Sequence, residues 1–234
     1  MKLAVMQPYF FPYLGYFQLL HASDLFVFYT DVNFIKGGWI NRNRLFINDR
    51  EVPFSVPLSN ISSFKKISDT EIKTSEFFFW KKKFFKTIDQ GYQNAPFYDE
   101  VMPILSKVLD YPSDTISDLA KESVVSVLNY LNIEKPILDS SNFYNSQLKS
   151  EERIIDICKK MGAKKYFNLI GGKKLYDREF FKENHIDLKF ISSTSICYEH
   201  HKMKRITSHL SVIDILMYYS KNEVRKMMSE YTLA

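Results

Sequence analysis

Leu3-Ala-Val-Met-Gln-Pro-Tyr-Phe-Phe-Pro-Tyr-Leu-Gly-Tyr-Phe-Gln-Leu-Leu-His-Ala-Ser-Asp-Leu-Phe-Val-Phe-Tyr29 opens the chain with two apolar runs around an aromatic, proline-rich turn. Residues 3–6 are short and continuously apolar, the pattern of a strand buried on both faces of a parallel sheet. The turn 7–13 follows. Pro12 suits the first position of a helix over about 12–22, where its missing N–H costs nothing. Residues 25–29 read as the next strand. Strand, turn, helix and strand in so short a span make a βαβ unit, whose parallel crossover is right-handed as a rule.

The rest of the chain extends that unit. Residues 44–48 and 51–58 alternate like a hairpin with Asn48-Asp49 at its turn. Residues 59–69 read as a flexible surface loop, with a short strand over 70–73. Helices are expected at about 77–90 (ended by Gly91), 96–107 and 114–131, the last capped by Ser113. Residues 136–141 form a strand running into a polar turn. Ser150 caps a helix through Met161, with Gly162 beyond its end. A strand at 165–170 stops at Gly171-Gly172, a helix covers about 173–183, and a strand covers 187–192. An amphipathic helix at about 209–220 and a short terminal helix close the chain. Strands alternating with helices predict an α/β fold with a Rossmann-like, mostly parallel sheet and helices on both faces, the HUP nucleotide-binding type being one form of it. No linker divides residues 1–234, so a single domain is expected, with 77–131 as a helical subdomain.

Composition narrows the class. The chain has 234 residues, 45% of them apolar, enough to bury a sizeable core. Aromatics make up 16%, with 20 Phe and 15 Tyr, and tyrosines need partners for their hydroxyls when buried. The net charge of +5 is spread along the chain; its densest clusters, Lys81–Lys83 and Lys202–Arg205, read as solvated faces. A basic surface also suits an anionic substrate such as a nucleotide sugar. Cys158 and Cys197 have no metal-ligand spacing, and Cys158 falls on the apolar stripe of its helix. No apolar run approaches the ~18 residues of a membrane span, and no secretory leader is visible, so a cytoplasmic protein is expected.

Ligands of open parallel sheets bind beyond the carboxyl ends of the strands. Three polar turns are delivered there. The first, with Gln7, Tyr9 and Tyr13, leads into a helix whose N-terminal N–H groups attract anions. Tyr13-Leu-Gly-Tyr16 occupies the place of the His-x-Gly-His motif of HUP nucleotidylyltransferases, with both histidines replaced. The second runs Asp31-Val-Asn-Phe-Ile-Lys-Gly-Gly-Trp-Ile-Asn-Arg-Asn-Arg44. In it Arg42 and Arg44, with Lys36, could grip a diphosphate. Asn33, Asn41 and Asn43 could read sugar hydroxyls, Trp39 could stack on base or sugar, and Asp31 could act as a general base. A solvated hairpin would use the same residues. The third turn, Asn168 to Gly171-Gly172, could cradle an anion, although turns use Gly-Gly routinely. His21 is a second base candidate. His209 is a further acid or base candidate beside Ser211-Val-Ile-Asp214, a capping-box-like pattern. No histidine pair, including His200-His201, has zinc-site spacing, so no metal is expected.

Met6-Gln-Pro-Tyr-Phe-Phe-Pro-Tyr-Leu-Gly-Tyr-Phe-Gln-Leu-Leu-His-Ala-Ser-Asp24 and Phe34-Ile-Lys-Gly-Gly-Trp-Ile-Asn-Arg-Asn43 resemble the signature segments of the WbqC-like family. Val56-Pro-Leu58, Ala95-Pro-Phe97, Ser140-Ser141, Tyr166-Phe-Asn168 with Gly171-Gly172, and Leu210-Ser-Val-Ile-Asp214 extend the likeness over nearly the whole chain. The resemblance implies a role in the biosynthesis of O-antigen lipopolysaccharide or a related surface sugar. It further implies transfer of an acyl or aminoacyl group, such as glycyl, to the amine of a nucleotide-linked deoxyamino sugar. Asp31 or His21 would then be the base and Asn41 or Asn168 an oxyanion donor. The expected partner is a nucleotide-linked sugar, with no nucleic acid (a charged tRNA as donor left open) and no membrane. The donor is unidentified, and ATP is one option. Two other readings stand beside this one: an ATP-dependent nucleotidylyl- or acyl-adenylate-forming enzyme, and a non-catalytic nucleotide-sugar-binding subunit.

Overall fold

The computed structural model describes residues 1–193 and 209–234. Cys197, His200-His201 and the Lys202–Arg205 cluster lie outside the described residues.

Six strands form one sheet: β1 (Lys2–Met6), β2 (Leu25–Phe28), β5 (Ile137–Asp139), β6 (Lys165–Leu169), β7 (Asp187–Ser193) and β8 (Tyr231–Leu233). Their order is β5-β2-β1-β6-β7-β8, parallel throughout except for β8, which runs antiparallel to β7. The chain moves outward from β1 through β2 to β5, then returns to the other side of β1 for β6 and β7. That reversal is a Rossmann-like switch point, lying between β1 and β6. β3 (Arg42–Ile47) and β4 (Arg50–Ser55) form a separate antiparallel hairpin.

Alternation along the strands divides the core. Ala4, Phe26, Phe28, Phe167 and Leu169 face one hydrophobic layer, which also holds α1 (Leu14–Ala22), α4 (Ile116–Tyr130), α7 (Val212–Tyr218) and α8 (Lys221–Ser229). Leu3, Val5, Leu25, Val27 and Phe190 face the other, filled by α5 (Ser150–Lys160) and α6 (Arg178–Glu183). Helices therefore cover both faces. The first layer continues into α2 (Thr74–Tyr92) and α3 (Tyr98–Asp110).

The hairpin turns at Asn48-Asp49, both with positive φ (50° and 61°), as a two-residue type I′ turn demands. Gly162 follows α5 with φ 64°. Other boundaries shift because tertiary contacts set them. α1 begins at Leu14 rather than Pro12, since the Pro12 carbonyl accepts the N–H of Val212 at 2.9 Å and Phe11 is left-handed at φ 41°. Gly91 does not end α2 but lies within it, where a Cβ would come 2.6 Å from Ile47. The cap of α4 is Thr115, which accepts the N–H of Asp118, rather than Ser113. Ser150 is the first residue of α5 and not its cap. Asp177 caps α6 and delays its start to Arg178, leaving a single 3-10 turn over residues 170–172. Residues 70–73 contribute only isolated bridges. The segment 59–69 is held rather than free: Ile67 is fully buried, and its N–H donates to the Val32 carbonyl.

Cys158 is buried in the α5 layer, and burial pushes its thiol up to about 12. It is therefore a core group and not a thiolate. Cys158→Ser should lower stability by about 1–3 kcal/mol, because a buried hydroxyl needs a partner that a thiol does not. Denaturant melts check this, and the specific activity of the folded fraction should be unchanged.

Candidate functional site

The left-handed Phe11 is the hub of the carboxyl edge. Its N–H donates to Ser123 Oγ at 2.9 Å, while its carbonyl accepts Asn43 Nδ2 at 2.7 Å and Ser211 Oγ at 2.8 Å. The neighbouring Phe10 N–H donates to the Ile40 carbonyl at 2.9 Å, and Ser211 N–H donates to the Arg44 carbonyl at 2.9 Å. Four segments distant in sequence are thus tied together: the turn 7–13, the stretch 39–44, α4 at Ser123 and the start of α7 at Ser211. A non-glycine residue at positive φ costs about 1–3 kcal/mol and persists only where its surroundings over-determine it. Here the ties are those five hydrogen bonds.

Around this hub stand several of the expected residues. Tyr9 and Tyr13 are half-buried on the turn, and burial pushes Tyr9 up to about 12. Burial and then the charge of Tyr9 push Tyr13 up as well. Both phenols stay protonated at neutral pH and can donate. The His209 ring meets Tyr13 edge-on at 5.4 Å and 87°, with the residue exposed. Trp39 is exposed on the adjoining loop, with the Arg44 and Arg42 guanidinium groups 5.0 and 5.6 Å from its ring centre. Such a ring beside two cations can stack on a flat group while the cations face its charge.

Other expected residues have structural work. Asn41 donates to Ser55 Oγ and the Val56 carbonyl, clipping the stretch before β3 to the end of β4. Asn43 is committed to Phe11 and to the Arg44 N–H. Arg42 donates from Nε to the Gly38 carbonyl at 2.8 Å and from Nη2 to the Gly37 carbonyl, so it folds the Gly-Gly loop under Trp39. Arg44 pairs with Glu51 at 2.6 Å. Asn33 and Lys36 are exposed on the loop between β2 and β3. The Gln7 carbonyl accepts the Tyr16 hydroxyl at 3.0 Å. The Tyr13 ring lies over Gly15, where a Cβ would meet it at 2.6 Å.

Asp31 is not poised as a base. Its carboxylate pairs with Arg153 at 2.6 Å and accepts the Ser140 hydroxyl, with the two paired side chains only 11% and 3% exposed. His21 ends α1 at the amino edge of the sheet, across the molecule from Tyr9. Burial, then Lys135 and Lys2, lower its pKa. It takes no part in this site. Asn168 is buried beneath Gly172, holding Tyr166 and its own neighbour's N–H, while Gly171 is exposed at the end of β6 next to β1. Among the described residues no group of three His, Cys, Asp or Glu side chains could hold a metal ion.

Sequence reading missed the second polar cluster at this edge. The Thr30 hydroxyl donates to Asp139, which also pairs with Lys121 at 3.2 Å. Burial alone would raise the Asp139 carboxyl, but Thr30, the Ser141 N–H and Lys121 hold it below its ordinary value. Ser123 and Arg153 were also missed. The polar turn after residues 136–141 was the available signal, since it ends a parallel strand as the other three turns do.

The WbqC-like protein family model matches residues 7–226, from the turn after β1 into α8. The chain belongs to the WbqC-like family. It is also 26% identical over 184 residues to "Uncharacterized protein Rv1507c" of Mycobacterium tuberculosis (strain ATCC 25618 / H37Rv), covering 78% of each chain. No solved structure matches the chain. The WbqC-like match takes in Phe11, Ser123, Asn43 and Ser211, so the hub lies wholly within the family's extent.

Titration with a nucleotide-linked amino sugar tests the Trp39 loop of this WbqC-like chain. Arg42→Ala should release the Gly37-Gly38 loop beneath Trp39, and on the reading of this loop as a diphosphate grip it should weaken binding roughly ten- to a hundredfold, since the charge-assisted hydrogen bonds that hold the loop contribute about 1.5–3 kcal/mol. Arg42→Lys should recover only part of that, because lysine cannot span both glycine carbonyls with a planar fork. Unchanged affinity in folded Arg42→Ala would remove this loop from the site.

Proposed function

We propose that this protein is a transferase that places an acyl or aminoacyl group, of the glycyl type, on the amine of a nucleotide-linked amino sugar made for a surface polysaccharide. The observation that carries the reading is the Phe11 hub. It gathers protonated phenols, a cation-flanked indole and an exposed imidazole at one edge of a Rossmann-like sheet. The nucleotide would stack on Trp39 with its diphosphate toward Arg44, Arg42 and Lys36. Tyr9 and Tyr13 would donate to the sugar or to the carbonyl oxygen of the acyl group.

His209 takes the role of base in this scheme. The sugar amine attacks the acyl carbonyl, forming the N–C bond. His209 accepts the amine proton and returns it to the carrier as the bond from acyl carbon to carrier breaks. Asp31 then has a structural role, and Asn41 and Asn43 shape the wall.

Mass spectrometry is the test. Purified protein is incubated with nucleotide-linked amino sugars and, in separate arms, an acyl thioester, an aminoacyl-tRNA, or an amino acid with ATP. A mass gain on the sugar in one arm is expected, and that arm names the donor. Pyrophosphate release without sugar modification would select the adenylate-forming alternative. Tight sugar binding with no gain in any arm would select the binding subunit.

A further inference from the structure

The outer face of α2 sets exposed rings beside lysines. Its inner side buries Phe84, Ile88 and Tyr92. Phe77 and Trp80 stack at 5.5 Å, half-buried against the core. The next two rings have no such cover: Phe78 is 56% exposed and Phe79 70%. Residues three and four apart share a helix face, so Phe78, Lys82 and Lys86 form one row and Phe79 and Lys83 the row beside it. The Lys82 ammonium lies 4.2 Å from the Phe78 ring centre.

All three lysines are exposed, and among the described residues none has a carboxylate within ion-pair distance. The other charges of this helix are engaged: Lys81 pairs with Asp110, Glu76 with Lys73, and Asp89 accepts the Tyr98 hydroxyl at 2.5 Å. The loop fastened to the start of α2 by the pairing of Leu58 with Ile72 repeats the pattern in Phe64-Lys65-Lys66, with Phe64 91% exposed.

We propose that this face docks the protein on an anionic lipid surface, with Phe78 and Phe79 entering the headgroup boundary and Lys82, Lys83 and Lys86 meeting the headgroup charge. Aromatic rings beside long cationic stems on one helix face are the composition of an interfacial helix. A protein partner fits less well, because lysine is depleted from protein–protein interfaces. Such docking needs no span, and among the described residues no helix is long and apolar enough to cross a membrane. The proposal departs from the expectation of no membrane partner and is independent of the transfer chemistry above.

Co-sedimentation with vesicles decides it. The protein should partition onto phosphatidylcholine vesicles containing phosphatidylglycerol, not onto pure phosphatidylcholine, and less as salt rises. Replacing Lys82, Lys83 and Lys86 together by Gln should weaken partition roughly a hundredfold. Phe78→Ser with Phe79→Ser should weaken it roughly ten- to a hundredfold. Both variants should melt like the parent, since the altered side chains are exposed. No partition of the parent onto anionic vesicles would overturn the proposal. So would partition unchanged in the ring variant, or retention by polyglutamate but not by vesicles.

Discussion

Arg153→Met should destabilise the protein by about 3–5 kcal/mol, the loss typical of a buried ion pair from which one partner is removed. The size follows from what is left behind. Asp31 would stand in a nearly closed space without its ion-pair partner, with the Ser140 hydroxyl as its remaining donor among the described residues. Asn145 would lose the Nε–H that it accepts at 2.9 Å, and the Tyr29 ring would lose the guanidinium 4.9 Å from its centre. Asp31→Leu combined with Arg153→Met should cost less than the single change, because no uncompensated charge remains. Chemical denaturation of the single and double variants gives the coupling directly. The same series tests the role of Asp31: a structural carboxylate predicts that folded Asp31→Asn keeps its turnover, whereas a base predicts its loss.

That pair also shows where sequence reading stops. The two residues lie 122 positions apart, and each alone looks like an ordinary polar position. Asp31 at the end of a strand reads as a base because strand ends carry catalytic groups, and only α5 packing on β2 and β5 reveals the guanidinium. The strands β1 and β2 were legible because burial on both faces demands continuous apolar runs, and β6 because its run stops at Gly171-Gly172. The hairpin was legible because Asn48-Asp49 tolerates the two positive φ angles its turn requires. Helix starts were less so: α1 yields its first turn to the Val212–Pro12 contact, which joins positions some 200 residues apart. β8 escaped because three residues carry no period, and it forms only by pairing with β7. At the site, residue types were readable and orientation was not. Tyr9, Tyr13, Trp39 and His209 gather at one edge, while Asn41, Asn43 and Arg42 spend their donors on the backbone that shapes it.

His209→Gln should lower kcat by about 10²–10⁴-fold with little change in KM, the range set by loss of a positioned general base. Of the four residues expected to do chemistry, three are withdrawn by geometry: Asp31 by Arg153, His21 by its place at the opposite edge, and Asn41 by its two hydrogen bonds. His209 alone of the four is exposed at the carboxyl edge, two residues before the Ser211 that holds Phe11. Its ring meets Tyr13 edge-on, a packing contact rather than a hydrogen bond to the phenol. Tyr13→Phe keeps that contact and removes only a hydroxyl, so it should cost less than His209→Gln, whereas Tyr13→Ala should release the imidazole and approach the larger loss. Rates measured on the sugar and donor named by the mass-spectrometric assay separate these cases. A His209→Gln protein with unaltered kcat would leave the amine proton to another acceptor, and the half-buried Asp139–Lys121 pair beside Thr30 would be the next place to test, because its neighbours hold the Asp139 carboxyl below its ordinary value.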